Sequence, residues 1–239
     1  MGDEIRCPIC KGKHVIKKGR VRTKFGSRQI YYCKDCERRF TDRMLSHKTY
    51  GPKVIMNAIT CYNLGFTLEE SAKLINRRFK VKVSKSSIHQ WLKEFLDICN
   101  YHYIRETALK NYGKDILVSK TFEHNGLNYN FKYHRAKLDT KTAIFPGLVK
   151  YIKSFEDGCP DFFKEDERCS QLKIDIRITK EGKFNKACKL AGLALKAAKT
   201  NRERHSLVEK FMLVNDSATL ACEVPVWPAP LDREAYLTG

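Results

Sequence analysis

No stretch of the 239-residue sequence approaches the roughly 18 consecutive apolar residues that a membrane-spanning helix needs. The opening residues MGDEIRCPIC hold no apolar run of signal-peptide type, and Arg6 stands where myristoylation favours Ser or Thr. No GxxxxGK[ST] segment is present, so a phosphate-cradling loop of that kind is excluded. Acidic residues are scarce, with 27 Asp and Glu against 46 Lys and Arg, for a formal charge of +19. These absences lead to the expectation of a cytoplasmic protein with no membrane partner. The acid deficit is uneven: residues 1–110 carry +14 and residues 111–239 carry +5. A charge excess held in under half of a chain is the footprint of a module facing a polyanion. At 42% hydrophobic residues, the chain has enough apolar material for packed cores.

Ten cysteines are many for a reducing compartment unless some bind metal. Four form two knuckles, Cys7-Pro8-Ile9-Cys10 and Cys33-Lys34-Asp35-Cys36, separated by 22 residues. Each CxxC can present two thiolates to one ion, and two such loops complete a tetrahedron. The expectation is a structural Zn2+ held by Cys7, Cys10, Cys33 and Cys36. Between the knuckles the pieces flanking Phe25-Gly26-Ser27 read as a short hairpin. Arg20, Arg22 and Lys24 alternate along it and should share one face, and Arg28 extends that positive surface. Gln29, Tyr31 and Phe40 read as packing residues. So small a ribbon has almost no core, which leaves much of its folding free energy to the metal.

Residues 50–100 carry helical periodicity three times. Gly51-Pro52 opens a first helix whose Val54, Ile55, Ala58, Ile59 and Tyr62 lie on one face. Thr67 and Glu70 form a capping box for a second, and Ser84 is the N-cap of a third with an Ile88, Trp91, Leu92, Phe95 stripe. Opposite that stripe lie Lys85, Ser86, His89, Gln90 and Lys93, a polar face suited to a major groove. Gln90 could pair with adenine, while Lys85 and Lys93 reach guanine edges or phosphates. Double-stranded DNA is the expected partner. An inverted repeat in its target would imply a homodimer.

The series Cys7-Pro8-x-Cys10, Lys17-x-Gly19, Gly26-x-x-Gln29-x-Tyr31-x-Cys33-x-x-Cys36 and Phe40 resembles the N-terminal zinc ribbon of bacterial and archaeal insertion-sequence transposases. With the following helices the resemblance covers about residues 5–96, and it implies recognition of transposon-end DNA. In that family a Gly often follows the last CxxC, whereas Glu37 stands here.

Beyond residue 100 the reading is less specific. A helix near Tyr101–Asn111 leads to strands at 115–119 and 127–133, then a helix carrying Leu148, Val149, Ile152 and Phe155 on one face. Leu172, Ile174, Ile176 and Ile178 alternate as a half-buried strand, followed by an alanine-rich helix at 184–199, a helix at 203–211 and a strand at 219–226. The resulting expectation is a multi-part chain: a four-cysteine zinc ribbon at 1–46, a three-helix helix-turn-helix segment at 50–100, and an α+β or α/β domain at 112–239. Its function would be that of a sequence-specific DNA-binding protein, a transposase-derived regulator or a transposition accessory protein.

The alternative is a divergent transposase or metal-dependent nuclease with Mg2+ held in residues 112–239. Ser119 stands where a first catalytic Asp would be sought, and Asp139, Asp175, Glu209 and Glu223 lack the flanking pattern of a catalytic set. Glu123, His124, His134, Arg135, Lys137 and Asp139 form a polar cluster in the sequence, and Asp216 with Glu223 is a loose carboxylate pair. The spacings of Cys159, Cys169, Cys188 and Cys222 contain no knuckle, and Cys61 and Cys99 read as core thiols. No catalytic residue is assigned from the sequence.

Overall fold

The computed structural model describes residues 5–23, 26–41, 45, 48–124, 127–158, 185–198 and 200–225. The first part is a three-stranded antiparallel sheet in the order β1 (Val15–Thr23), β2 (Gly26–Cys33) and β3 (Arg39–Thr41). Its register shifts between Lys17 and Arg20, a bulge in β1. Buried Cys7, Cys33 and Phe40 are nearly all the core it has, with Tyr31 stacked on Phe40 at 5.6 Å.

Three helices follow: α1 (Pro52–Asn63), α2 (Leu68–Phe79) and α3 (Lys85–Glu94). Proline opens α1, since a first-turn residue needs no amide hydrogen. The capping box of α2 is formed, with the Glu70 amide donating to Thr67 Oγ1 at 3.1 Å and the Thr67 amide to Glu70 Oε2 at 2.7 Å. Ser84 caps α3 by accepting from the Ser87 amide at 3.1 Å. The tight corner between α1 and α2 uses Gly65 at φ +98, where a Cβ would sit 2.6 Å from Leu109 Cδ2.

A fourth helix, α4 (His102–Tyr112), leads into an antiparallel hairpin, β4 (Leu117–His124) and β5 (Leu127–His134). The expected strand at 115–119 thus begins later and runs further. Ile116 is fully buried against Tyr101 and Ala108, and the polar residues beyond Ser119 lie opposite β5. After α5 (Arg135–Asp139) and α6 (Pro146–Lys153), the chain is next described at α7 (Lys186–Leu195), α8 (Asn201–Asn215) and the short β6 (Ala221–Cys222). β6 pairs with β5 to give the sheet order β4-β5-β6. The expected strand at 172–178 lies outside the described residues. Phe131, Tyr133, Val149, Ile152 and Phe155 form the core between this sheet and α6, whereas Leu148 is exposed.

The largest core joins distant parts of the chain. Ile55, Ile59, Ile75, Ile88 and Trp91 of the first three helices share it with Leu190, Leu193, Ala194 and Ala197 from α7 and its C-terminal end and with Phe211 of α8. The small alanines of α7 let its backbone come close, which a bulky face would prevent. Asn215 pins the junction: it accepts from Asn63 Nδ2 at 2.8 Å and donates to Thr60 Oγ1 at 3.0 Å. Among the described residues no helix is long and apolar enough to cross a membrane.

Candidate metal centre and nucleic-acid interface

The two knuckles converge. Cys7 Sγ lies 3.6 Å from Cys36 Sγ, Cys10 Sγ lies 3.5 Å from Cys33 Sγ, and all four sulfurs fall within 4.8 Å of one another. Four thiolates about 2.3 Å from a tetrahedral ion have sulfur–sulfur edges of about 3.8 Å, so the cluster has the dimensions such an ion requires. Backbone amides aim at the sulfurs, with Ile9 N 3.4 Å from Cys7 Sγ and Gly12 N 3.4 Å from Cys10 Sγ. Burial pushes the Cys36 thiol up to about 12, and neighbouring sulfurs add to the rise. At Cys7 burial acts in the same direction, but donation from the Cys10 and Ile9 amides outweighs it and lowers the thiol to about 6. Thiols so close resist ionising together, and a divalent cation removes that conflict.

The backbone shows how each knuckle is closed. Lys11 and Glu37, the residues that follow each CxxC, adopt left-handed conformations at φ +62 and +57. A Cβ on Gly12 would lie 1.9 Å from Asp35 Oδ2, so glycine is what lets the second knuckle approach the first. Asp35 holds His14 Nδ1 at 2.6 Å, and that hydrogen bond keeps the Asp35 carboxyl below its usual range.

The basic residues of the ribbon divide in role. Arg20 and Arg22 are exposed, and Arg20 Nε donates to Ser27 Oγ at 2.8 Å, which orients its guanidinium along the hairpin. Lys24 lies outside the described residues. Arg28 is half-buried, and its Nη2 donates to the Leu45 carbonyl at 2.9 Å, so it ties the ribbon to the following linker. That linker is fastened in turn to α3 and the loop before it. Lys48 pairs with Glu94, the Tyr50 hydroxyl donates to the Lys82 carbonyl, and the Tyr50 ring meets Trp91 edge-on at 5.7 Å. Residue-by-residue reading did not single out these positioning contacts, because neither Lys48 nor Tyr50 belongs to a motif.

On α3, Ile88 and Trp91 face the core while Lys85, Ser86, His89, Gln90 and Lys93 are all exposed. The helix therefore presents an uncovered, donor-rich face among the described residues. The N-terminal turn of α3 carries no acidic residue that would repel phosphate.

Among the described residues the carboxylates sought for the alternative separate: Glu209 and Glu223 come together with His205, whereas Asp139 and Asp216 join no such group. Asp139 accepts from the Tyr112 hydroxyl and lies 3.9 Å from Lys153. Among the described residues it joins no group of three metal-ligating side chains. Asp175 lies outside the described residues. The polar cluster at 123–139 is dispersed by the hairpin register: Glu123 pairs opposite Asn128 and His134 opposite Leu117, about 20 Å apart along the strands. His134 and Lys137 are fully buried structural groups. Lys137 Nζ donates to the Leu213 carbonyl at 2.7 Å and pairs with Asp216 Oδ1 at 3.0 Å, and burial lowers its ammonium to about 8. The loose Asp216–Glu223 pair is thereby divided, since Asp216 serves Lys137 while Glu223 accepts from the Asn130 amide at 2.6 Å. Cys99 is buried and Cys61 half-buried, as core thiols are, while Cys188 is exposed and Cys222 half-buried. Cys159 and Cys169 lie outside the described residues.

The chain is thus a three-part protein: a four-cysteine module of metal-binding geometry, a helix bundle, and a C-terminal region with its own small sheet. No family, curated protein or solved structure in the comparisons matches it.

Proposed function

We propose that this chain is a sequence-specific double-stranded DNA-binding protein, whose ribbon holds a structural Zn2+ and whose α3 enters the major groove. The observation that carries this reading is the exposed Lys85, Ser86, His89, Gln90, Lys93 face, turned away from the core in a chain that also carries a basic ribbon. Arg20 and Arg22 serve as phosphate contacts that set orientation, and Gln90 as a base contact that sets sequence. Arg28 contributes by holding the ribbon to the linker. In the cell the protein would act in the cytoplasm as a transposase-derived regulator or a transposition accessory protein, as a homodimer if its target is an inverted repeat.

Zinc-loaded protein is incubated with a randomised duplex pool at physiological salt without Mg2+, and the retained fraction is sequenced. An enriched motif is expected, with affinity that falls steeply as salt rises. Gln90→Ala should flatten the preference at one position, a cost of about 1–3 kcal/mol for the preferred base. Arg22→Ala should weaken all sequences about equally and reduce the salt slope by about one. A pool that is not retained at all overturns the reading.

A further inference from the structure

Away from the ribbon, the described residues bring together one more group of metal-ligating side chains: His205 and Glu209 of α8 and Glu223 directly after β6. One ligand atom from each lies within 4.8 Å of the other two, and His205 Nδ1 is 3.4 Å from Glu209 Oε1. The helix places His205 and Glu209 one turn apart on the same face. Glu223 comes from a separate element, and the amide of Asn130 on β5 fixes its Oε2 at 2.6 Å. The three donors are thus set from both sides, by a helix and by a sheet edge.

Charge at this point is poorly balanced. Glu209 is half-buried, and burial, with the Glu223 carboxylate, raises its carboxyl above the usual range. Lys132 and the largely exposed His205 ring oppose that rise without cancelling it. An imidazole nitrogen supplies a lone pair to a metal, and the carboxylates supply the charge. The ring and the two carboxylates then form a ligand set of one nitrogen and two oxygen donors. Such sets suit divalent first-row ions, and three protein ligands leave positions open to water.

We propose that His205, Glu209 and Glu223 form a second metal site, for a divalent first-row transition ion, distinct from the four-cysteine centre. The bound ion would clip β6 to α8 and so join the C-terminal sheet to the helix bundle. The site would exist whether or not α3 reads DNA.

Mn2+ is the probe, because a four-thiolate centre already filled with zinc has little affinity for so hard an ion. The full-length zinc-loaded chain is titrated with Mn2+, and free aqua ion is followed by electron paramagnetic resonance. One Mn2+ is expected per chain, displaced by added Zn2+. His205→Ala and Glu209→Gln are each expected to weaken it at least about tenfold. The His205 side chain is 78% exposed, so its removal leaves packing intact, and a matching thermal melt of the metal-free variant verifies this. Absence of bound Mn2+ in the unaltered chain, or affinity unchanged in His205→Ala, overturns the proposal.

Discussion

Both nitrogens of His134 are committed inside the fold, with Nδ1 accepting the Lys137 amide at 3.3 Å and Nε2 facing the Tyr101 hydroxyl at 3.0 Å. A ring nitrogen that accepts carries no proton, which assigns the neutral tautomer with hydrogen on Nε2. Burial, reinforced by the Lys137 ammonium, depresses the imidazole from 6.5 to about 3. The unfolded chain takes up a proton near pH 6.5 and the folded chain only near pH 3. Stability therefore stands at its full value above pH 6.5 and falls as pH drops from there toward 3. Between pH 7 and pH 5 the loss from this one residue should be about 2 kcal/mol. Asn at position 134 keeps an oxygen acceptor for the Lys137 amide and has nothing to titrate. In urea melts at the two pH values, His134→Asn should lose about 2 kcal/mol less than the unaltered protein, and equal losses would refute the assignment. Nothing local to residue 134 makes this visible. His134 read as a member of a polar cluster, and only the register of β4 and β5 with the packing of Tyr101 turns it inward.

Among the elements, those legible in the sequence are those whose chemistry is local. The capping box at Thr67 and Glu70, the proline at the start of α1 and the Ile88, Trp91, Phe95 stripe each depend on residues within a turn or two. The ribbon is legible for the same reason, since each knuckle is a four-residue device. Glu37 illustrates how far such reading extends: its place directly after the second knuckle is visible in the sequence, but its cost comes from the observed φ of +57. A non-glycine residue held left-handed costs about 1–2 kcal/mol. Glycine escapes that cost but loses about 0.5–1 kcal/mol of backbone entropy on folding. Glu37→Gly should thus stabilise the knuckle by about 0.5–1 kcal/mol, which is about a two- to fivefold gain in zinc affinity when folding and metal binding are linked. Competition with a chelator of known strength measures it, and an unchanged or weakened affinity would show that the knuckle is not strained at this residue.

At the scale of the whole molecule, periodicity identifies a buried face without naming what covers it. The alanine-rich pattern of α7 is clear in the sequence, but nothing in it says that α7 closes a core begun more than a hundred residues earlier. That closure bears on α3, because Ile88 and Trp91 hold it in place from the same core that contains Leu190 and Leu193. If α3 depends on this packing, a cavity in α7 must be felt at Trp91. Leu193 is fully buried, and Leu193→Ala should cost about 2–5 kcal/mol. In a Trp227→Phe background, Trp91 is the remaining indole, and its fluorescence reports the environment of α3 directly. The urea midpoint of that signal should fall with Leu193→Ala, whereas absorbance of cobalt bound to the ribbon cysteines should keep its native form below the transition. Among the described residues, Cys7, Cys33 and Phe40 of the ribbon form a cluster of their own, and the ribbon is tied to the bundle by Arg28, Lys48, Tyr50 and the buried Leu45 of the linker. An unmoved Trp91 transition would mean that the first three helices stand without α7, and that the exposed polar face of α3 is built by residues 50–100 alone.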